Sequence, residues 1–157
     1  MSAQCQQLFS QLNINTEVEK IQLETSAAGD CCTVFMNTLI DGLPLVNPRT
    51  SLQSNVRIGT PGINSVNFYG LFEAEQSETV SIMSIDEVME LIRQGIENNS
   101  INTYSEPITV VRLAYMADTE SMEFYPMWCF YMDLDGMGSL FLRLGINAQT
   151  GEVVFMS

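Results

Sequence analysis

Two aspartates lie two residues apart in "MDLDGMGS", Asp133 and Asp135, and they are the first place to look for chemistry. Paired carboxylates can run acid/base work on sugars, and an Asp-x-Asp-Gly run resembles the opening of a calcium loop. An EF-hand loop counted from Asp133 needs glycine at position six and a bidentate glutamate at position twelve. Gly138 meets the first requirement, Leu144 fails the second, and Met137 occupies position five. Asp135-Gly136 is by itself a good hairpin turn. Nineteen acidic residues also supply many such pairs by chance.

The other reactive side chains are fewer. Cysteines stand at Cys5, Cys31, Cys32 and Cys129, there is no histidine, and Lys20 is the only lysine. A serine or cysteine nucleophile ordinarily needs a base beside it, and mixed Cys/His metal sites are excluded. Adjacent Cys31 and Cys32 fit no zinc spacing and cannot easily bridge one another within a strand. Cys129 lies between Trp128 and Phe130 in an apolar run, where a thiol packs and its pKa rises. Buried free thiols are therefore expected. "GLPLVNPRT" and "GTPGINS" lack the Lys-Ser/Thr ending of a phosphate loop. The expectation is a chain without catalytic residues, metal or cofactor.

Composition narrows the partners. The 157 residues carry six Lys+Arg against nineteen Asp+Glu, a net charge of −13. Nucleic acid and anionic lipid would both repel such a chain, because binding to either neutralises negative charge. Hydrophobic residues make up 46%, too many for a disordered tail, yet no run approaches the ~20 apolar residues of a membrane span. "MSAQCQQLF" has neither the basic and apolar regions of a signal peptide nor a lipobox before Cys5. Asn98-Asn99-Ser100 reads as a helix-end loop more readily than as a glycosylation sequon.

The elements that must position these residues are legible from periodicity. Cys5, Leu8, Phe9 and Leu12 have helical spacing, so a short amphipathic helix is expected over 3–12. "EVEKIQLETS" and "CTVFMNTLIDGLPL" read as strands, the second entering an Asp41-Gly42 turn. "NVRIGTPGINSVNFYGLF" reads as strand, turn and strand around Pro61-Gly62. Ser84 with Glu87 gives capping-box spacing. Ile85, Val88, Met89, Ile92 and Ile96 then define the apolar face of a second helix. "ITVVRLAYMAD", "MEFYPMWCFYMDLDG" and "SLFLRLGINAQTGEVVFM" add four strands. In "MEFYPMWCFYM" both alternating sets are apolar, so both strand faces should be covered, and Pro126 should sit at an edge or bulge.

The halves match in order: helix, strand, strand, Asp-Gly turn, strand, turn, strand. Phe35 aligns with Phe130, and Arg57-Ile58-Gly59 with Arg143-Leu144-Gly145. This reads as an internal duplication. The expected fold is α+β: two tandem helix-on-antiparallel-sheet modules, residues 1–80 and 81–157, packed as one unit.

"SIDEVMELIRQGI", "ITVVRLAYM", Tyr125-Pro126-x-Trp128 and Ile146-Asn147-Ala148-x-Thr150-Gly151-Glu152 together resemble the PepSY-like and YycI-like modules of bacterial envelope proteins. They also resemble secreted lipoproteins of Clostridia that carry two such units. The likeness covers Ser84 to Phe155 well and the first half weakly, and its motifs are structural. It implies a non-catalytic, extracytoplasmic regulator or interaction module of the cell envelope. A protein or peptide partner is therefore expected, with a ligand carrier using the cleft between modules as the alternative. Open sheets offer edge strands to partner chains. The expected surface is the first hairpin, at Asn55, Arg57, Gly59, Pro61 and Asn64, because "RIGTPG" is less apolar than its C-terminal counterpart.

Overall fold

The structure is a computed structural model that describes residues 7, 9–26, 29–47, 53–59, 62–69, 78–103, 107–118, 121, 123–133 and 140–157. Pro61, Cys5 and the Asp135-Gly136 turn lie outside the described residues. The chain divides into two compact units, Met1–Glu75 and Gln76–Ser157.

In the first unit, β1 (Thr16–Ser26) and β2 (Gly29–Ile40) form a long antiparallel pair. β3 (Leu43–Val46) returns from β2 through a turn in which Asp41 and Gly42 have φ of 50° and 81°, the mirror-image geometry that Asp-Gly favours. β4 (Ser54–Gly59) pairs with β2, and β5 (Gly62–Asn67) pairs with β4. One face carries the core: Cys32, Val34, Met36 and Val56, closed by Phe9 and flanked by Ile14, Val18, Ile58 and Val66.

The helix expected over 3–12 is helical at residues 7 and 9–11 among those described. Its end is fixed by Asn13 at φ 57°. Ile14 N–H bonds the Phe9 carbonyl and Asn13 N–H the Ser10 carbonyl, each at 3.0 Å. This is a Schellman stop, with asparagine in the left-handed position.

The second unit is an antiparallel meander of β6 (Val110–Asp118), β7 (Glu123–Asp133), β8 (Leu140–Asn147) and β9 (Val153–Met156). Helix α1 (Ile85–Glu97) precedes it, with Ser84 as N-cap and Glu87 completing the capping box. Val88 packs into a core of Ile101, Phe130, Leu144 and Ile146, with Met83, Ile85, Ile92 and Trp128 around it.

The α+β expectation of two helix-on-sheet modules is corrected. The fold is mostly β: 58% of described residues are strand and 14% helix, and α1 is the only helix of more than a few residues among them. Periodicity located the elements; β1, β2 and β7 run to 11, 12 and 11 residues, and strands of this length outweigh the helix among the described residues.

Three smaller corrections follow. The inward face of α1 runs Ile85, Val88, Ile92 and Gly95, while Met89 and Ile96 are exposed. A glycine does not read as a core position. Here it is one, since a Cβ at Gly95 would stand 2.6 Å from the Ile101 side chain. The residue correspondence expected between the halves also shifts. Cys32 pairs with Ile58 as Phe130 pairs with Leu144, so Cys32, not Phe35, stands where Phe130 does. Pro126 lies within β7, between β6 and the end of β8, not at an edge.

Candidate functional site

The residues expected to meet a partner lie on β4 and β5. Asn55 and Asn67 face one another across the hairpin, the Asn67 side-chain Nδ2 donating to Asn55 Oδ1 at 2.9 Å. Arg57 reaches back over β2 to β1, bonding Glu24 at 3.0 Å and the Cys31 sulfur at 3.2 Å. The Cys31 contact, more than Glu24, holds the guanidinium above its ordinary pKa. The Cys31 thiol in turn points to Glu24 at 3.4 Å. This surface pair is worth little in stability, but it neutralises the one described cation on the hairpin.

Asn64 is exposed beside Gly59, where an added Cβ would stand 2.6 Å from its amide nitrogen. The pairing slips by one residue between Arg57 and Ile58, and this bulge leaves Asn64 as the extra residue on β5. The structure thus brings Asn55, Arg57, Gly59 and Asn64 onto one hairpin. β5 is the terminal strand of its ladder: it pairs with β4, and no other described strand pairs with it. Its six residues, Gly62–Asn67, carry no charge, whereas β1 carries Glu17, Glu19, Lys20 and Glu24. Charges are a common protection of a sheet edge, so β5 is the less protected strand.

The motifs that carry the family resemblance have a mechanical role in the second unit. Ala148 N–H donates to the Pro126 carbonyl at 2.8 Å. An ordinary residue at 126 would return that bond to the Ala148 carbonyl. Proline has no N–H, so the Ala148 carbonyl instead accepts from Met83 N–H at 2.7 Å. Trp128 then donates its indole N–H to the Met83 carbonyl at 3.0 Å. Both backbone groups of Met83, directly before the N-cap of α1, are held by Tyr125-Pro126-x-Trp128 and Asn147-Ala148. Asn147 shapes the turn, its side chain accepting from Gln149 and Thr150 at 2.8 and 3.1 Å. Gly151, at φ 76°, closes it. Sequence reasoning identified these residues but not this coupling, since Met83 belongs to no motif.

Beside the clasp, Met83, Asp86, Glu87, Glu90 and Leu91 line a shallow open groove. Two of its carboxylates, Glu87 and Glu90, are already engaged. Glu87 is held below the ordinary range by the Ser84 backbone N–H, and Glu90 is pulled down to about 2 by Arg93 and Gln94.

Burial pushes the Cys129 thiol up to about 12 and also raises the Tyr131 phenol. The Lys20 ammonium sits 5.3 Å over the Phe35 ring. No three His, Cys, Asp or Glu side chains among the described residues gather as metal ligands. No protein-family model matches the chain, and no curated protein is similar to it in sequence.

Proposed function

We propose that the chain is a non-catalytic polypeptide-binding module of the bacterial cell envelope, which takes an extended segment of a partner along β5. The observation that carries this reading is the exposed outer edge of β5. It offers backbone donors and acceptors with no charged side chain along its length, and strand addition uses such an edge through main-chain hydrogen bonds. The bulge at Arg57/Ile58 is the one protective feature at hand. The envelope location rests on the resemblance of Tyr125-Pro126-x-Trp128 and Asn147-Ala148-x-Thr150-Gly151 to PepSY-like and YycI-like modules. No helix is long and apolar enough to cross a membrane among the described residues.

Capture from an envelope extract, followed by hydrogen exchange on the complex, tests this. The amides of Gly62–Asn67 should gain protection, and Ser65→Lys should weaken capture. Protection confined to other strands, or turnover in a broad hydrolase screen, overturns it.

A further inference from the structure

Asn55 and Asn67 stand opposite one another on the face of the β4–β5 hairpin away from the core, joined side chain to side chain at 2.9 Å. They begin an amide ladder that stops at the sheet edge. Asn67 Nδ2 and Asn55 Oδ1 are spent on each other, whereas Asn67 Oδ1 bonds no described residue. Water satisfies that oxygen in the free chain. What matters is the group that meets it once a strand is added along β5.

The surroundings leave this end of the ladder open. Tyr69 N–H and the Tyr69 carbonyl both bond the Ser54 hydroxyl at 3.1 Å, so the residues just after β5 continue beside β4 and do not turn over the outer edge. Asn64 leans toward Gly59 of β4. Arg57 reaches over β2 to Glu24 of β1, away from β5. Arg57 is the only charged residue of Ser54–Gly59, and Gly62–Asn67 has none.

We infer that the segment taken along β5 carries an asparagine or glutamine opposite Asn67. This rests on the edge-strand reading and names what the edge selects. An added strand lies about 4.8 Å beyond β5, the interstrand spacing across which Asn67 already meets Asn55. Its residue opposite Asn67 therefore continues the row Phe35–Asn55–Asn67. A side-chain amide fits that place because it donates and accepts at once. It meets Asn67 whichever atom of that amide faces outward, and amides repeated across strands support one another. A carboxylate only accepts, finds Arg57 already turned toward Glu24, and adds to a net charge of −13. An ammonium only donates, and β4 and β5 hold no carboxylate for it. The neighbouring ligand residue, opposite Val66, turns to the core-bearing face and is apolar.

The test uses the full chain and synthetic peptides of about eight residues that alternate valine with threonine between terminal lysines. One central threonine is replaced by asparagine, aspartate or alanine. The asparagine peptide should bind roughly threefold more tightly than the alanine peptide, and roughly fivefold more tightly than the aspartate peptide. Asn67→Ala, at an exposed position, should erase the first difference while the peptides still protect the Gly62–Asn67 amides from exchange. Equal affinities for asparagine and alanine peptides, with those amides protected, would overturn this inference and leave the edge-strand function standing. A preference for asparagine that survives in Asn67→Ala would overturn it too, since the amide would then be read elsewhere. Failure of every peptide to protect β5 would remove the edge-strand reading, and this inference with it. Protection of β5 that grows with chain concentration in the absence of peptide would assign the edge to a second copy and also overturn it.

Discussion

Trp128 and Met83 are 45 residues apart, yet the indole N–H of one donates to the backbone carbonyl of the other at 3.0 Å. The bond ties the middle of β7 to the residue preceding the N-cap of α1. Trp128 is half-buried, so this polar anchor matters beside its packing. Trp128→Phe keeps most of the apolar contact and removes the donor. It should lower unfolding free energy by about 1 kcal/mol in denaturant titrations. A midpoint equal to wild type would show that water replaces the indole without cost.

Pro126 makes a second prediction. Its missing donor leaves the Ala148 carbonyl to Met83 N–H. Pro126→Ala restores a competing N–H at that carbonyl, so the Met83 amide should exchange faster while the amides of β6 keep their protection. Unchanged exchange at Met83 would mean that the carbonyl serves both donors.

The clasp also shows what the sequence could and could not disclose. Ser84 and Glu87 announce α1 because a capping box is a local interaction, and Asp41-Gly42 announces its turn for the same reason. The β4–β5 hairpin and its candidate residues Asn55, Arg57, Gly59 and Asn64 were legible from alternation and turn chemistry. The mostly-β character was not, because strand length is set by pairing with partners distant in the sequence, as in β2, which runs to 12 residues between β1 and β4. Nor could periodicity show that Gly95 faces the core: its role depends on Ile101, whose place is set by the Asn98–Asn99 turn. The ties of Met83 to Ala148 and Trp128 span too many residues for any local rule.

Gly151 and Gly42 both hold positive φ, 76° and 81°, in different surroundings. A Cβ at Gly42 meets nothing within 4 Å, whereas one at Gly151 would stand 2.7 Å from Leu91 Cδ1 and 3.2 Å from Met83 Cε. Gly42→Ala should cost about 1 kcal/mol, from backbone strain. Gly151→Ala should cost more, up to about 3 kcal/mol, because the tip must also move off α1. Thermal melts of the two variants give the order; equal losses would mean that the Leu91 and Met83 side chains yield freely.

Acid should loosen α1 in a defined window. The Glu90 carboxyl is held down to about 2 by its bonds to Arg93 and Gln94, and Glu87 is lowered by the Ser84 backbone. A depressed folded pKa contributes stability above the unfolded value and loses it as pH falls through the folded one. The loss therefore sets in near pH 4.5 and is complete only below about pH 2. Glu90 is fully exposed, so the effect should shrink with added salt. Denaturant melts at low ionic strength should show a shallower decline over this window in Glu90→Gln. A parallel decline in both proteins would assign the acid sensitivity to other carboxylates.

The thiols separate by environment. Cys32 and Cys129 are buried, and desolvation drives the Cys129 pKa up to about 12, leaving almost no thiolate at neutral pH. Cys31 is partly exposed, its sulfur 3.2 Å from the Arg57 guanidinium and 3.4 Å from the Glu24 carboxylate that Arg57 also bonds. In a Cys5→Ser background, a native-state thiol reagent at pH 8 should therefore label Cys31 first. Cys32 and Cys129 should react only at the rate of global unfolding. Fragment ions of the tryptic peptide 21–49 separate Cys31 from Cys32, and Cys129 lies in 113–143; equal labelling of Cys31 and Cys129 would show that β7 opens far more readily than its buried faces imply.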